Sequence, residues 1–226
     1  MKNFSTVILF LLLGSCSYSQ QLGQVTFSGG AKLSYLAFLT DQGVLIRVTD
    51  DGKIMEWGTE VQSQRSDYYA PKLQPYMGRI EYYGPEADSA FKGKLKSVGT
   101  CTLTYYGHYE TATKIGKLKT VGTLNLDYYD NFDNATLRGK LRFIGSQILE
   151  YYSPTVDEAF RGKLRSIGNT QITYYSSFDD KAIKGKIKSI GAVSYAWYTS
   201  FDLNRSGLKS SGLYRQNIGG VTYILR

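Results

Sequence analysis

The chain contains very little cysteine, histidine and proline, and this scarcity limits the kinds of catalytic and metal site that it can form. Among 226 residues there are two Cys, one His and four Pro. The single histidine, His108, lies in a linker, whereas a catalytic or metal-bound histidine normally needs partner groups nearby. No metal motif, phosphate-binding loop or nucleophile elbow occurs. The sequence therefore predicts a protein that is not an enzyme and that has no metal and no cofactor.

Long apolar runs are also lacking, except for one near the N-terminus. Lys2 precedes seven apolar residues at 7–13, and small residues at 17 and 19 stand three and one before Gln20. This pattern is typical of a signal peptide cut after residue 19. The run is too short to span a bilayer, which takes about 20 residues. We therefore predict a signal peptide at residues 1–19 and an exported chain that resides in the periplasm, at the cell surface or outside the cell.

A second interpretation of the same segment stays open. The stretch Leu-Gly-Ser-Cys at 13–16 resembles a lipobox, in which Cys16 would be lipidated and become the first residue of an outer-membrane lipoprotein. In either case Cys101 keeps no partner for an intrachain disulfide.

The charge is strongly positive, with 27 basic against 19 acidic residues and a net charge of +8. Loss of Lys2 with the signal peptide lowers this to +7. A basic exported protein favours anionic partners, such as an anionic glycan, lipopolysaccharide or an acidic envelope protein. We expect no nucleic acid partner, and membrane contact only through lipidated Cys16 or in a barrel.

What the chain has in abundance is tyrosine, in pairs at a fixed step. There are 20 Tyr in all, and each pair begins 23 residues after the one before: Tyr82-Tyr83, Tyr105-Tyr106, Tyr128-Tyr129, Tyr151-Tyr152 and Tyr174-Tyr175, with Trp197-Tyr198 as a sixth. Two glycines per copy keep the same step, as Gly162 and Gly168 do in the fourth copy. Agreement at so many positions predicts a tandem repeat, whose neighbouring units stack on one another.

Each copy is predicted to form two strands. In "AFRGKLRSIG" at 159–168, polar and apolar residues alternate, and "QITYYSSF" at 171–178 is rich in β-branched and aromatic types. Gly168-Asn169 between them favours a tight hairpin turn. We place Gly162 across from Tyr175, so that the ring covers the bare glycine backbone.

The predicted fold is all-β, with tandem 23-residue β-hairpin repeats stacked into an elongated or rolled antiparallel sheet, like a solenoid. Residues 20–226 are predicted to form one domain. In it, 20–79 is a divergent N-terminal cap, 80–202 holds five regular repeats and the start of a sixth, and 203–226 is a C-terminal cap. Within the first cap, Asp51-Gly52 between two apolar runs predicts a further hairpin.

The sequence pattern of the repeat resembles those of two known families. The period and the hairpin per unit are similar to MORN repeats, and the tyrosine strand followed by Gly-Lys-Leu or Gly-Lys-Ile looks like the YD repeats of secreted shell proteins. The resemblance covers about residues 80–202. The MORN glycine-tryptophan pattern is absent, and the tyrosine-aspartate pair occurs once, at Tyr129-Asp130. What the resemblance implies is a scaffold or binding surface.

Basic residues at alternate positions of the first strand form a comb that is repeated in every copy. The comb is either the solvated face of the sheet or a lattice of cations beside tyrosines that binds a repeating polyanion. The candidate binding residues are Lys94, Lys96, Lys117, Lys119, Lys140, Arg142, Lys163, Arg165, Lys186 and Lys188.

A third interpretation is a small outer-membrane β-barrel with a basic lumen. Strands of about ten residues with alternating character also describe such barrels. Phe160, Leu164, Ile172 and Tyr174 would then face lipid. Glycine and serine on that face and the absence of a continuous apolar band weigh against it.

Overall fold

The computed structural model describes residues 20–60 and 72–226, and it folds them into two β-sheets. The predicted signal peptide and Cys16 lie outside the described residues. So do residues 61–71. The described residues contain no α-helix, only a short 3-10 helix at Ser211–Leu213. The prediction of an all-β fold of stacked hairpins is confirmed.

Seventeen strands follow one another along the described chain. They are β1 (Gln21–Ser28), β2 (Lys32–Leu39), β3 (Val44–Val48), β4 (Ile54–Thr59), β5 (Ile80–Tyr82), β6 (Leu95–Val98), β7 (Cys101–Tyr105), β8 (Leu118–Val121), β9 (Leu124–Tyr128), β10 (Leu141–Ile144), β11 (Gln147–Tyr151), β12 (Leu164–Ile167), β13 (Thr170–Tyr174), β14 (Ile187–Ile190), β15 (Val193–Ser194), β16 (Arg215–Ile218) and β17 (Val221–Leu225).

The long sheet is an antiparallel meander of 11 strands, β5 to β15, in which every strand pairs with its neighbours in sequence. A two-residue turn joins the strands of each hairpin, as where Ile167 of β12 pairs with Thr170 of β13. Gly168 in that turn has φ +52°, while Asn169 has no positive φ. One positive φ at the first turn position matches a type II′ turn, so the predicted hairpin is confirmed.

A β-bulge interrupts the first strand of every hairpin. In β12, Leu164 pairs with Tyr151, but Ser166 pairs with Glu150, so Arg165 between them has no partner residue. The other first strands shift register at the equivalent place. Because one residue is inserted, Leu164 and Ile167 both face the core, although strict alternation would separate them.

The first strands are shorter than predicted, and the predicted register at Gly162 is wrong. Residues 159–163 form turns, and strand β12 starts only at Leu164. Gly162 has φ +69°, and its N–H donates to the Tyr152 carbonyl at 3.0 Å. The backbone carbonyl of Tyr175 instead accepts a hydrogen bond from the Gly185 N–H. Glycine is needed here because the turn takes a left-handed conformation that side chains disfavour, not because a ring covers it.

The two flanks of the repeat come together in a second sheet of six strands, in the order β16-β17-β1-β2-β3-β4. Within this sheet the parallel pair β1 and β17 joins the N-terminal and C-terminal flanks. Hairpin β3–β4 turns at the predicted Asp51-Gly52. One buried cluster contains Phe27, Phe38 and Ile46 of this sheet together with leucines and isoleucines of the long sheet. The short sheet therefore packs on one face of the long sheet, which we call the inner face; the opposite one is the outer face.

Loops of the short sheet also bond to the backbone of the long sheet. The N–H of Leu118 donates to Gly52 O at 3.4 Å, that of Leu141 to Asp50 O at 2.7 Å, and that of Ile187 to Gly30 O at 2.7 Å. Each donor is the first residue of a bulged strand, where the inserted residue has shifted the regular ladder. The bulges thus supply the donors that anchor the two sheets.

Candidate functional site

The structure divides the predicted comb into two rows that face opposite sides of the long sheet. The residue before each bulged strand points to the inner face, and we call these the inner row: Lys94, Lys117, Lys140, Lys163 and Lys186. The residue inserted at each bulge points to the outer face, and we call these the outer row: Lys96, Lys119, Arg142, Arg165 and Lys188. The prediction of a single basic face is therefore wrong, because the bulge reverses the alternation.

Inner-row lysines hold consecutive copies together. The Nζ of Lys140 donates to Gly162 O at 2.9 Å, and that of Lys163 to Gly185 O at 2.6 Å, each in the following copy. Lys94 and Lys117 make the same bond to Gly116 and Gly139. Every inner-row Nζ also lies over an aromatic ring, at 4.7–5.3 Å from the ring centre.

Burial lowers the pKa of four of these five lysines, Lys94, Lys117, Lys163 and Lys186. An ammonium that bonds a carbonyl and covers a ring is held in place by the stack, and its remaining N–H donors can still meet a carboxylate, as Lys140 meets Asp50 at 3.8 Å. The inner row is thus a structural element of the stack.

Outer-row cations are exposed, and three of the five lie over tyrosines. Lys119 lies 5.3 Å from the Tyr106 ring centre, Arg142 lies 5.3 Å from that of Tyr129, and Lys188 lies 5.7 Å from that of Tyr175. Within the described residues only Lys96 of this row forms an ion pair, with Glu81 at 3.6 Å. Four outer-row cations are therefore free to meet an external anion.

The tyrosine pairs set the spacing of both rows. The first tyrosine is buried in every pair except Tyr82-Tyr83; Tyr128, for example, donates its hydroxyl to Leu118 O in its own copy at 2.7 Å. The second donates to the following copy, as Tyr129 does to Leu149 O at 3.0 Å. Tyr129 also meets the next buried ring, Tyr151, edge to face at 6.0 Å. Rings and hydroxyls together tie each copy to its neighbour in a fixed register.

Between the outer-row cations runs a stripe of small polar side chains. Thr104 and Thr120 share a hydrogen bond at 2.8 Å across two strands, and Thr173 and Ser189 share one at 2.6 Å. Ser166, in the same hairpin as Thr173, donates to Glu150 of the preceding copy at 3.2 Å. The outer face therefore combines cations, ring faces and hydroxyls in a repeating order.

His108 and the linker carboxylates brace the linkers. His108 Nδ1 lies 2.7 Å from Asp88 Oδ2 in the preceding linker, and the His108 N–H donates to the same carboxylate. Asp157 and Asp180 receive the corresponding bonds from Ser177 and Ser200. Hydrogen bonds from backbone N–H groups, that of Ala90 foremost, hold the pKa of Asp88 below its usual value. These groups occupy equivalent places in successive linkers and have structural partners.

Cys101 is buried at the start of β7, and burial raises the pKa of its thiol to about 11. A thiol in this state is a poor nucleophile at neutral pH.

A row of exposed aromatic side chains was missed by the sequence reasoning. Tyr109, Phe132, Phe178 and Phe201 are 86–96% exposed at the tips of successive linkers. They share the 23-residue step, which Thr155 completes in the third copy. The shared step is the signal in the sequence that marks this row, although the other linker residues vary from copy to copy.

The described residues hold no group of three or more Asp, Glu, His and Cys side chains that could bind a metal ion. Nor do they include a helix of the length and apolarity needed to cross a membrane. No protein family, curated protein or solved structure matches this chain. The resemblance to MORN and YD repeats accordingly stays a prediction from the sequence.

Proposed function

We propose that the protein is an exported, non-enzymatic scaffold of the cell envelope that binds an anionic glycan across the outer face of its long sheet. The observation that carries this proposal is the outer row. Four of its five cations lack an ion-pair partner in the part of the chain that the structure describes, and the bulges place them at equivalent positions in successive copies.

The spacing of the row favours a repeating ligand. Two strands separate consecutive outer-row cations, so the rows lie about 10 Å apart at the usual distance between paired strands. This is close to the length of two units in an extended β-linked glycan. A polymer with one carboxylate or sulfate per disaccharide would meet one cation per copy.

The surroundings of the cations favour a sugar over a simple polyanion. Tyr129 and Tyr175 are only partly buried and offer ring faces beside their cations, and apolar ring faces stack on the C–H faces of sugars. Thr and Ser hydroxyls in the stripe can both donate and accept hydrogen bonds. Repetition of the same groups in every copy favours binding along the sheet over a single reaction centre.

Two double variants test the proposal at equal net charge. Arg142→Glu with Arg165→Glu reverses two outer-row cations, whereas Arg138→Glu with Arg161→Glu reverses two exposed arginines in the turns of the same copies. Binding to alginate, heparin and a neutral glucan is measured by titration at low and high salt. The outer-row variant should lose about 2 kcal/mol, a factor of about 30 in Kd, at about 1 kcal/mol per exposed ion pair.

The turn variant should bind like the unaltered protein, and the neutral glucan should not bind. Equal losses in the two double variants would reduce the effect to net charge, and the absence of any salt-sensitive glycan binding would refute the proposal.

A further inference from the structure

A cleft of about 490 Å³ opens on the inner face, between hairpin β3–β4 and the first copies of the long sheet. Trp57, Tyr82, Leu95 and Tyr105 form its apolar walls. The Trp57 and Tyr82 rings meet edge to face at 6.4 Å, and Tyr82 is 54% exposed. This volume lies within the range of small-molecule sites, and a flat ring can pack against the two aromatic walls.

The polar groups of the cleft are best understood from the equivalent place two copies further on. There, Asp50 of the short sheet accepts a hydrogen bond from the Leu141 N–H with its carbonyl, and its carboxylate lies 3.8 Å from Lys140 Nζ. At this place the backbone N–H of the bulged strand bonds to a carbonyl oxygen, and the inner-row lysine lies near a carboxylate. The Leu118 N–H likewise donates to the neighbouring Gly52 O.

In the first copy the same pair of groups faces the cleft. The Gly93 N–H donates to Tyr83 O just as the Gly116 N–H does to Tyr106 O, so the ladder around Leu95 matches the one around Leu118. By this equivalence the Leu95 N–H points to the inner side, as the Leu118 N–H does. At Leu95, however, the cleft occupies the place where a loop of the short sheet lies at Leu118. Lys94 lines the same cleft.

The charge of the cleft is positive. No ion pair of Lys94 occurs among the described residues, and the second lysine of the lining, Lys53, stands at the rim with its side chain 78% exposed and pairs with Asp51 at 2.8 Å. The walls are apolar apart from these groups and the glycine backbone. Such a site complements a ligand with one carboxylate and a flat apolar body.

We propose that this cleft binds a small aromatic carboxylate. The carboxylate takes the place that Asp50 fills two copies on, between the Leu95 N–H and Lys94 Nζ, and the ring packs against Trp57 and Tyr82. The site lies on the opposite face from the outer row, so it goes beyond the proposed glycan binding and does not depend on it.

Calorimetric titration with 2-naphthoate and with 2-naphthamide tests the proposal. The two probes share a ring system and differ in charge, so naphthoate should bind saturably and naphthamide at least about tenfold more weakly, since a charge-assisted bond is about twice as strong as a neutral one. The chain offers a matched control for the lysine. Lys94→Gln should weaken naphthoate binding at least about tenfold, whereas Lys163→Gln, the same change in an inner-row lysine outside the cleft lining, should not.

Trp57→Ala supplies a second variant that leaves the inner row intact, and it should also abolish binding. Melting curves of all variants establish that each one is folded at the titration temperature. Absence of naphthoate binding, equal binding of the amide, or equal effects of Lys94→Gln and Lys163→Gln would overturn the proposal. Binding confined to a peptide ending in phenylalanine would overturn the assignment to a small molecule.

Discussion

Replacing Lys117 and Lys119 separately by methionine tests the division of the comb into two rows. The two lysines lie two positions apart on the same hairpin and are indistinguishable in the sequence pattern. Lys117 is partly buried, donates to Gly139 O and lies 5.0 Å from the Tyr128 ring centre. Lys119 is exposed and lies 5.3 Å from that of Tyr106.

The expected magnitudes differ severalfold. A hydrogen bond from a charged donor contributes about 1.5–3 kcal/mol, and its loss leaves Gly139 O without that donor. Burial lowers the pKa of Lys117, so desolvation of the ammonium offsets part of this gain, while methionine keeps much of the packing on Tyr128. We expect Lys117→Met to lower the free energy of unfolding by about 2 kcal/mol. Lys119→Met removes only an exposed cation–π contact and should cost about 0.5 kcal/mol or less.

Urea titrations and thermal melts at neutral pH measure the difference. For a chain of this size, 1 kcal/mol shifts Tm by about 2–4 °C, so Lys117→Met should lower Tm by about 4–8 °C and Lys119→Met by less than about 2 °C. Lys117→Arg, which keeps a charged donor, should recover part of the loss. Equal shifts for the two methionine variants would show that both lysines are solvent-facing and would refute the division into rows.

Three further predictions concern stability. Tyr128→Phe should cost about 1 kcal/mol because it leaves Leu118 O unpaired, whereas Tyr151→Phe should be neutral or stabilising, since the buried Tyr151 hydroxyl has no hydrogen-bond partner among the described residues; chemical denaturation of both variants measures this. Gly162→Val should cost more than Gly162→Asn, because valine tolerates φ +69° less well than asparagine, and equal melting temperatures would contradict the turn geometry. Burial raises the pKa of Tyr195 to about 12, so the protonated form is favoured in the folded state. The stabilisation from keeping Tyr195 protonated is complete below the usual tyrosine pKa of about 10 and is lost as the pH rises toward 12. The fall in unfolding free energy between about pH 9 and about pH 11.5, measured by urea titration, should therefore be smaller in Tyr195→Phe, and an equal fall in both proteins would contradict this.

The hairpin unit and its stacking could be predicted because they depend on local features that recur. A glycine at each turn, β-branched and aromatic residues in the second strand and an unbroken step all act within one copy or between adjacent copies. The pairing of β1 with β17 could not be predicted in this way. Gln24 and Thr222 pair across almost the whole chain, and no local pattern specifies which distant strand supplies a parallel neighbour.

The division of the candidate site was missed because the bulge leaves no mark on the alternation. A run such as Arg161, Lys163 and Arg165 predicts one basic face if the strand is regular. In the structure the first lies in a turn, the second faces inward and the third is the residue inserted at the bulge. Gly162 is the only local sign of the bulge in the sequence, since a glycine within a predicted strand often marks an irregularity.

Stacking accounts for the inner row, the paired tyrosines and the glycines, since these groups make contacts within a hairpin or with a neighbouring copy, or adopt a turn that only glycine takes easily. It does not account for the outer row or for the exposed tips. A phenylalanine such as Phe132, 95% exposed, gains almost nothing from folding, because hydrophobic stabilisation follows the apolar area removed from water. Large exposed apolar groups arranged in a row are more typical of contact surfaces than of isolated monomers. The outer face and the linker edge are therefore where side chains that the stack does not need are available for binding, in addition to the cleft beside Trp57 on the inner face.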